Sequence, residues 1–164
     1  MIIRQARLTD LDRIFEIELE NFSIEEAIPR PVFEAHLKEI KTSFLVAEKE
    51  GEILGYIEGP VVPHRYLQDQ SFTEDIKDYS HQKGGYISVT CLSIAKKAQA
   101  LGVGRKLLTA LKDLAFEHER EGINLTCHDY LIGYYEKHGF VNEGKSKSTF
   151  AGEEWYDMVW ENTN

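Results

Sequence analysis

Between Tyr86 and Glu121 the sequence reads "YISVTCLSIAKKAQALGVGRKLLTALKDLAFEHERE": an apolar, β-branched run, a turn with two glycines one residue apart, and at once a strongly helical segment. A strand that hands over to a helix through such permissive backbone, with the strand-like "INLTCH" beyond, predicts a parallel crossover, right-handed by general rule. That unit commits the chain to a sheet with helices packed on it. A helix start leaves backbone N–H groups without partners and carries about half a positive charge, so the turn is a natural anion seat. Gly102 and Gly104 keep Cβ atoms away from an approaching phosphate. A Walker loop would end in Gly-Lys-Ser/Thr and a dinucleotide fingerprint would put a third glycine where Leu107 stands; the sequence has neither. A tight turn without a ligand is the alternative.

The rest of the chain fills in around this unit. "MIIRQA" predicts a short strand, and Thr9 an N-cap for a helix through "DLDRIFEIELENF", whose Ile14, Phe15 and Phe22 recur at helical spacing. Pro29 and Pro31 predict a loop and then a second helix, with Pro31 at its first position. "SFLVAEKEGEILGYIEG" reads as a hairpin turning at Lys49, Glu50 and Gly51. Residues 60–85 become polar and irregular, an excursion of the length used for binding loops, with a short helix inside it. After the central strand come a helix over 103–121 closed by Gly122, the strand "INLTCH", a helix "DYLIGYYEKH" closed by Gly139, and a last hairpin flanking Ala151 and Gly152. The order β, α, α, β, β, β, α, β, α, β, β predicts a mixed α/β (α+β) fold, one domain over residues 1–164, with helices on both faces of a mixed sheet.

Composition narrows the function. With 164 residues, 42% of them apolar, and no run long enough to span a bilayer, the chain reads as an ordinary globular domain without membrane contact. "MIIRQARLTDLDRI" places charges where a signal peptide needs an apolar stretch, which predicts a cytoplasmic protein. Cys91 and Cys127 lie in apolar, strand-like runs and are expected as buried thiols rather than a disulfide, and no Cys/His/carboxylate spacing suits a metal. A formal charge of −9 speaks against nucleic acid and suits a cationic partner, or solubility alone.

"QALGVG" resembles the Q/R-x-x-G-x-G/A signature of the GNAT superfamily of N-acetyltransferases, and "YYEKHGF" its Y-E-K-x-G-F segment at the expected distance downstream. "FEIELENF", "GYIEG", "TCHDYLIGYYEKHGF" and "WYDM" are similar, in order, to segments of the arylalkylamine N-acetyltransferase branch. The resemblance implies a central, mixed, mostly antiparallel sheet of about seven strands, and acetyl-CoA as co-substrate with no metal. It implies that backbone at Leu92, Ser93 and Ile94 pairs with the pantetheine arm. The N–H groups of Gln99, Ala100, Leu101, Gly102, Val103, Gly104 and Arg105 would hold the pyrophosphate. Tyr135 would stand by the thioester sulfur and protonate the leaving thiolate, and Phe22 and Trp155 would line the amine pocket. For each side chain a plain packing role is the alternative.

Acetyl transfer to an amine also needs the ammonium deprotonated. The arylalkylamine branch carries histidines where this chain has Ser88 and Thr90, neither basic enough alone, so a water relay through both hydroxyls is one expectation. His128, at the end of the next strand, is the competing base, with His64 and Glu58 weaker candidates. The reading is an acetyl-CoA-dependent N-acetyltransferase for a small, cationic or arylalkyl amine, with a homodimer admitted. Two rivals stand beside it. One is a protein or peptide acetyltransferase in which the 60–85 excursion grips a chain; the other is a non-catalytic acyl-CoA sensor.

Overall fold

The computed structural model describes residues 1–163. It comprises β1 (Ile2–Gln5), α1 (Leu11–Asn21), α2 (Arg30–Glu39), β2 (Phe44–Lys49), β3 (Glu52–Glu58), β4 (Val61–Val62), β5 (Tyr86–Val89) and β6 (Cys91–Ile94). Then follow α3 (Val103–Glu117), β7 (Gly122–Cys127), α4 (Ile132–Lys137), β8 (Val141–Lys145) and β9 (Tyr156–Glu161). The strands form two sheets, ordered β1-β2-β3-β6 and β4-β5-β7-β9-β8. Every pair is antiparallel except β5 with β7, which flank the α3 crossover. The mixed, mainly antiparallel α+β architecture matches the sequence reading.

The strand count exceeds about seven for two reasons. Val61–Val62 makes a short strand inside the excursion, and the run "YISVTCLSI" divides at Thr90. There the Thr90 N–H donates to Glu58 O at 2.9 Å while Cys91 is the register partner of the same Glu58, so two residues oppose one. A bulge of this kind bends and twists its strand. Below it β6 stays with β3; above it β5 pairs with β7 instead.

Sheet alternation sends side chains to two separate cores. Val46 and Tyr56 meet Ile14, Ile17 and Phe33 of α1 and α2, whereas Leu45, Ala47 and Ile57 meet Leu107, Leu108 and Leu111 of α3. Covering both faces explains why β2 is apolar without a break across "FLVA". Pro31 falls in the first turn of α2, one residue after its start. The 103–121 helix is shorter than expected: α3 ends at Glu117, Glu119 takes the left-handed conformation (φ 56°), and Arg120 N–H bonds Ala115 O at 2.8 Å. Gly122 therefore opens β7 instead of capping α3.

The 60–85 excursion is strapped down. Arg120, itself buried, donates to the carbonyls of Ser80, Gln82 and Gly84, and Arg65 forks onto Glu143 of β8 while also reaching Glu161 of β9 at 2.7 Å. Asp78 accepts the Val61 and Lys41 N–H groups. No helix among the described residues is long and apolar enough to cross a membrane.

The packing predicts an asymmetry along α3. Leu111 is 0% exposed and Phe116 58% exposed. Leu111→Ala should lower the unfolding free energy by about 2–5 kcal/mol in a urea titration, and Phe116→Ala should stay within about 0.5 kcal/mol of the parent.

Candidate active site

The divergence of β5 and β6 at Thr90 opens a cleft. Thr90, Cys91 and Leu92 form one wall, Leu125 to Cys127 of β7 with His128 just after it another, Tyr135 of α4 also lines the cleft, and Glu18, Phe22 and Glu26 come from α1 and the loop after it. β6 is an edge strand: among the described residues β3 is its one partner in the sheet. Ala95 N–H bonds Leu54 O at 2.8 Å, so by antiparallel alternation the Ser93 peptide groups turn toward β3, and those of Leu92 and Ile94 toward the open edge. Ser93, expected to pair with the pantetheine, is thereby corrected: its backbone belongs to the β3 ladder and its side chain is buried, bonded to Asn21 Nδ2 at 2.8 Å. Ile94 is half engaged, because its carbonyl accepts Asn21 Nδ2 at 2.7 Å.

At the far end of that edge lies the glycine turn. Gly102 adopts φ 73°, a left-handed conformation that L side chains enter at a cost, and a Cβ there would meet nothing within 4 Å. The first helical bond of α3 runs from Lys106 N–H to Gly102 O, leaving the Val103, Gly104 and Arg105 N–H groups without backbone acceptors among the described residues. Gln99 and Leu101 differ from expectation: their N–H groups already reach Lys96 O (3.5 Å) and Ala98 O (3.1 Å). The Gln99 side chain braces the turn, donating to Asn21 Oδ1 at 2.9 Å. Gly104 has a neighbour that sequence reasoning missed: a Cβ there would lie 2.5 Å from the Tyr134 hydroxyl. An open strand edge leading to unpartnered helix N–H groups fits a chain that is peptide-like at one end and phosphorylated at the other, which is the form of coenzyme A. When bound, acetyl-CoA supplies the activated acetyl group.

Tyr135 is buried, with its ring edge-on to Tyr134 and Phe140, and burial pushes its phenol pKa well above the ordinary value. It therefore keeps its proton, as a donor must. Phe22 and Trp155 both line the cleft. Trp155 belongs to an aromatic wall that only tertiary structure assembles: His128 is stacked between Trp155 (4.3 Å) and Tyr130 (5.3 Å), and Phe72 of the excursion stacks on Phe150 (4.5 Å). His128 Nε2 stands 3.6 Å from Glu26 Oε2.

Ser88 requires correction. It is 0% exposed, its hydroxyl bonds Asn124 Oδ1, and it does not line the cleft, so it cannot share a relay with Thr90. His64 lies on a separate, polar cavity. Two buried carboxyls flank the site. Glu18 accepts Ile28 N–H (2.8 Å), Tyr56 OH (2.6 Å) and Cys91 Sγ (3.2 Å), and burial raises its pKa against those bonds. Glu58 accepts the Thr90 hydroxyl at 2.7 Å and meets His36 Nδ1 at 2.8 Å. Burial disfavours the charged His36 imidazole, but the adjacent Glu58 outweighs it and the pKa is raised. Among the described residues no three His, Cys, Asp or Glu side chains group to hold a metal.

Residues 11–140 match the acetyltransferase (GNAT) family, and the chain belongs to it. It is 32% identical over 162 residues to an N-alpha-acetyltransferase of Sulfurisphaera tokodaii, spanning 96% of this chain and 90% of the relative. An N-alpha-acetyltransferase of Sulfolobus acidocaldarius is 30% identical over 163 residues, with the same coverage. Among solved structures, Ard1 from Thermoplasma volcanium superposes with a TM-score of 0.73 at 21% identity, over 99% of this chain and 98% of that one, a likeness of fold. The protein is an acetyl-CoA-dependent N-acetyltransferase.

The Gly104–Tyr134 contact is testable. Gly104→Ala should push the Tyr134 hydroxyl aside and weaken acetyl-CoA binding about tenfold, the scale of one lost hydrogen bond to a charged group. Calorimetric titration measures this; a folded variant with unchanged affinity would remove the anion seat from the α3 turn.

Proposed function

We propose that the protein acetylates the α-amino group of a peptide or protein N-terminus. The observation that carries this reading is the match, over nearly the full chain, to two relatives each named N-alpha-acetyltransferase. It displaces the small-amine acceptor and the arylalkylamine branch that the sequence resemblance suggests first. The aromatic wall also suits an arylalkylamine, which is therefore the rival acceptor.

The chemistry of the cleft supports an α-amine. An α-amino group has a pKa of about 7.7–8.0 and a lysine side chain one of about 10.4, so the former sheds its proton in water near neutral pH. A cleft whose Thr90 proton is committed to Glu58, and whose one histidine is stacked between two rings, serves such a nucleophile without a dedicated base. The excursion supplies a fixed wall through Phe72, and its straps to β8, β9 and Arg120 favour a standing groove over a lid that closes. In this reading the Leu92 and Ile94 edge and the α3 turn hold the coenzyme, Phe22 and Trp155 bound the acceptor side, and Tyr135 is the proton donor.

Steady-state assays should compare a peptide with a free N-terminus, the same peptide N-blocked with an internal lysine, and an arylalkylamine. The free N-terminus should give a kcat/KM at least about tenfold above either competitor; preference for the arylalkylamine would reverse the assignment. For the preferred peptide kcat/KM should rise with pH through about 7.7–8.0, as the amine deprotonates. No falling limb should follow below pH 9.5 or so, because burial raises the Tyr135 pKa and so preserves the protonated donor. Tyr135→Phe should leave acetyl-CoA affinity intact and lower kcat about a hundredfold or more.

A further inference from the structure

The Glu58–His36 pair lies behind the cleft wall, with both side chains 0% exposed. His36 Nε2 faces the Thr73 carbonyl at 3.0 Å, and a carbonyl only accepts, so Nε2 carries a proton. Nδ1 faces both Glu58 oxygens at 2.8 and 2.9 Å, and one proton serves that contact from either side. A further proton on the carboxyl would leave a net positive charge in a fully buried place. Glu58 Oε1 therefore acts as an acceptor toward Thr90 Oγ1, 2.7 Å away, and the Glu58 carbonyl, 3.2 Å from the same oxygen, is an acceptor too. The Thr90 proton is turned inward in every arrangement, and only lone pairs remain for the cleft that Thr90 lines.

We infer that Thr90 is an acceptor-only contact for the incoming amine, taking one of its N–H bonds so that the nitrogen lone pair faces the acetyl carbon, and that Glu58 and His36 are positioning residues that hold it so. A hydroxyl in this orientation gives no hydrogen bond to an oxyanion or a thiolate. It is also distinct from a relay: Glu58 gains no proton during turnover. The inference rests on the proposed function only for the acceptor's identity.

Four variants test it on whichever acceptor the wild-type enzyme uses, so a failed peptide assignment shows in the wild type and leaves the Thr90 comparison intact. Thr90→Val keeps shape and removes the acceptor; kcat/KM for the amine should fall about ten- to a hundredfold with acetyl-CoA affinity unchanged. Thr90→Ser should restore it to within about threefold. Glu58→Gln is the discriminating variant, because its amide oxygen still accepts from Thr90 while its NH₂ donates to His36 Nδ1; it should also stay within about threefold. Glu58→Met removes the shorter of the two bonds and leaves only the residue-58 carbonyl, 3.2 Å away, to hold the Thr90 proton, so kcat/KM should fall part of the way toward Thr90→Val, by about three- to tenfold, if calorimetry shows that it still binds acetyl-CoA. Wild-type kinetics in a folded Thr90→Val variant would overturn the inference. So would a near-dead Glu58→Gln that binds acetyl-CoA normally, since Glu58 would then be taking the proton.

Discussion

The site depends on one irregular pairing, Glu58 of β3 facing both Thr90 and Cys91 of the central strand. An unbroken strand would stay in one sheet and close the wall on which the cleft opens. The bulge instead lets β5 leave for β7 while β6 remains on β3, and the gap between them becomes the cleft. It also makes β6 an edge, normally a liability in a sheet, here an exposed row of peptide groups leading to the start of α3. The acetyltransferase assignment rests on the family match, and this edge is where we propose that the coenzyme lies.

The polar groups around the bulge are costly to bury and are almost fully answered. Glu18 has three donors, and Glu58 has Thr90 and His36. Removing one partner of such a group costs more than the bond itself contributes, because the other is left desolvated. Ile28 N–H on Glu18 ties the loop between α1 and α2 to the strand floor, and this loop brings Glu26 to the mouth of the cleft. The acceptor side is thus set by buried hydrogen bonds, and the coenzyme side by unmade ones.

Much of the frame was legible in the sequence because it rests on local signals. Gly102 marks a turn that needs a positive φ, Pro31 a helix start, and "YYEKHGF" a helix that brings Tyr135 to the cleft. The bulge is hidden in a one-residue change of phase, Ile87 and Val89 at odd positions giving way to Leu92 and Ile94 at even ones, and its partner Glu58 lies more than thirty residues earlier. Period-2 reasoning puts Ser88 and Thr90 on one face; the bulge between their environments sends Ser88 to Asn124 and Thr90 to Glu58. The aromatic wall was equally hidden. Phe72, Tyr130 and Phe150 come from three separate loops whose meeting no spacing encodes.

The central claim is that the split strand offers its free edge to the coenzyme as a neighbouring strand would. Residue-resolved amide hydrogen exchange, with and without saturating coenzyme A, tests it most directly. The account predicts that the Leu92 and Ile94 amides slow markedly on addition while Ser93, already turned to β3, changes little. Unchanged exchange at Leu92 and Ile94 under saturation would contradict it.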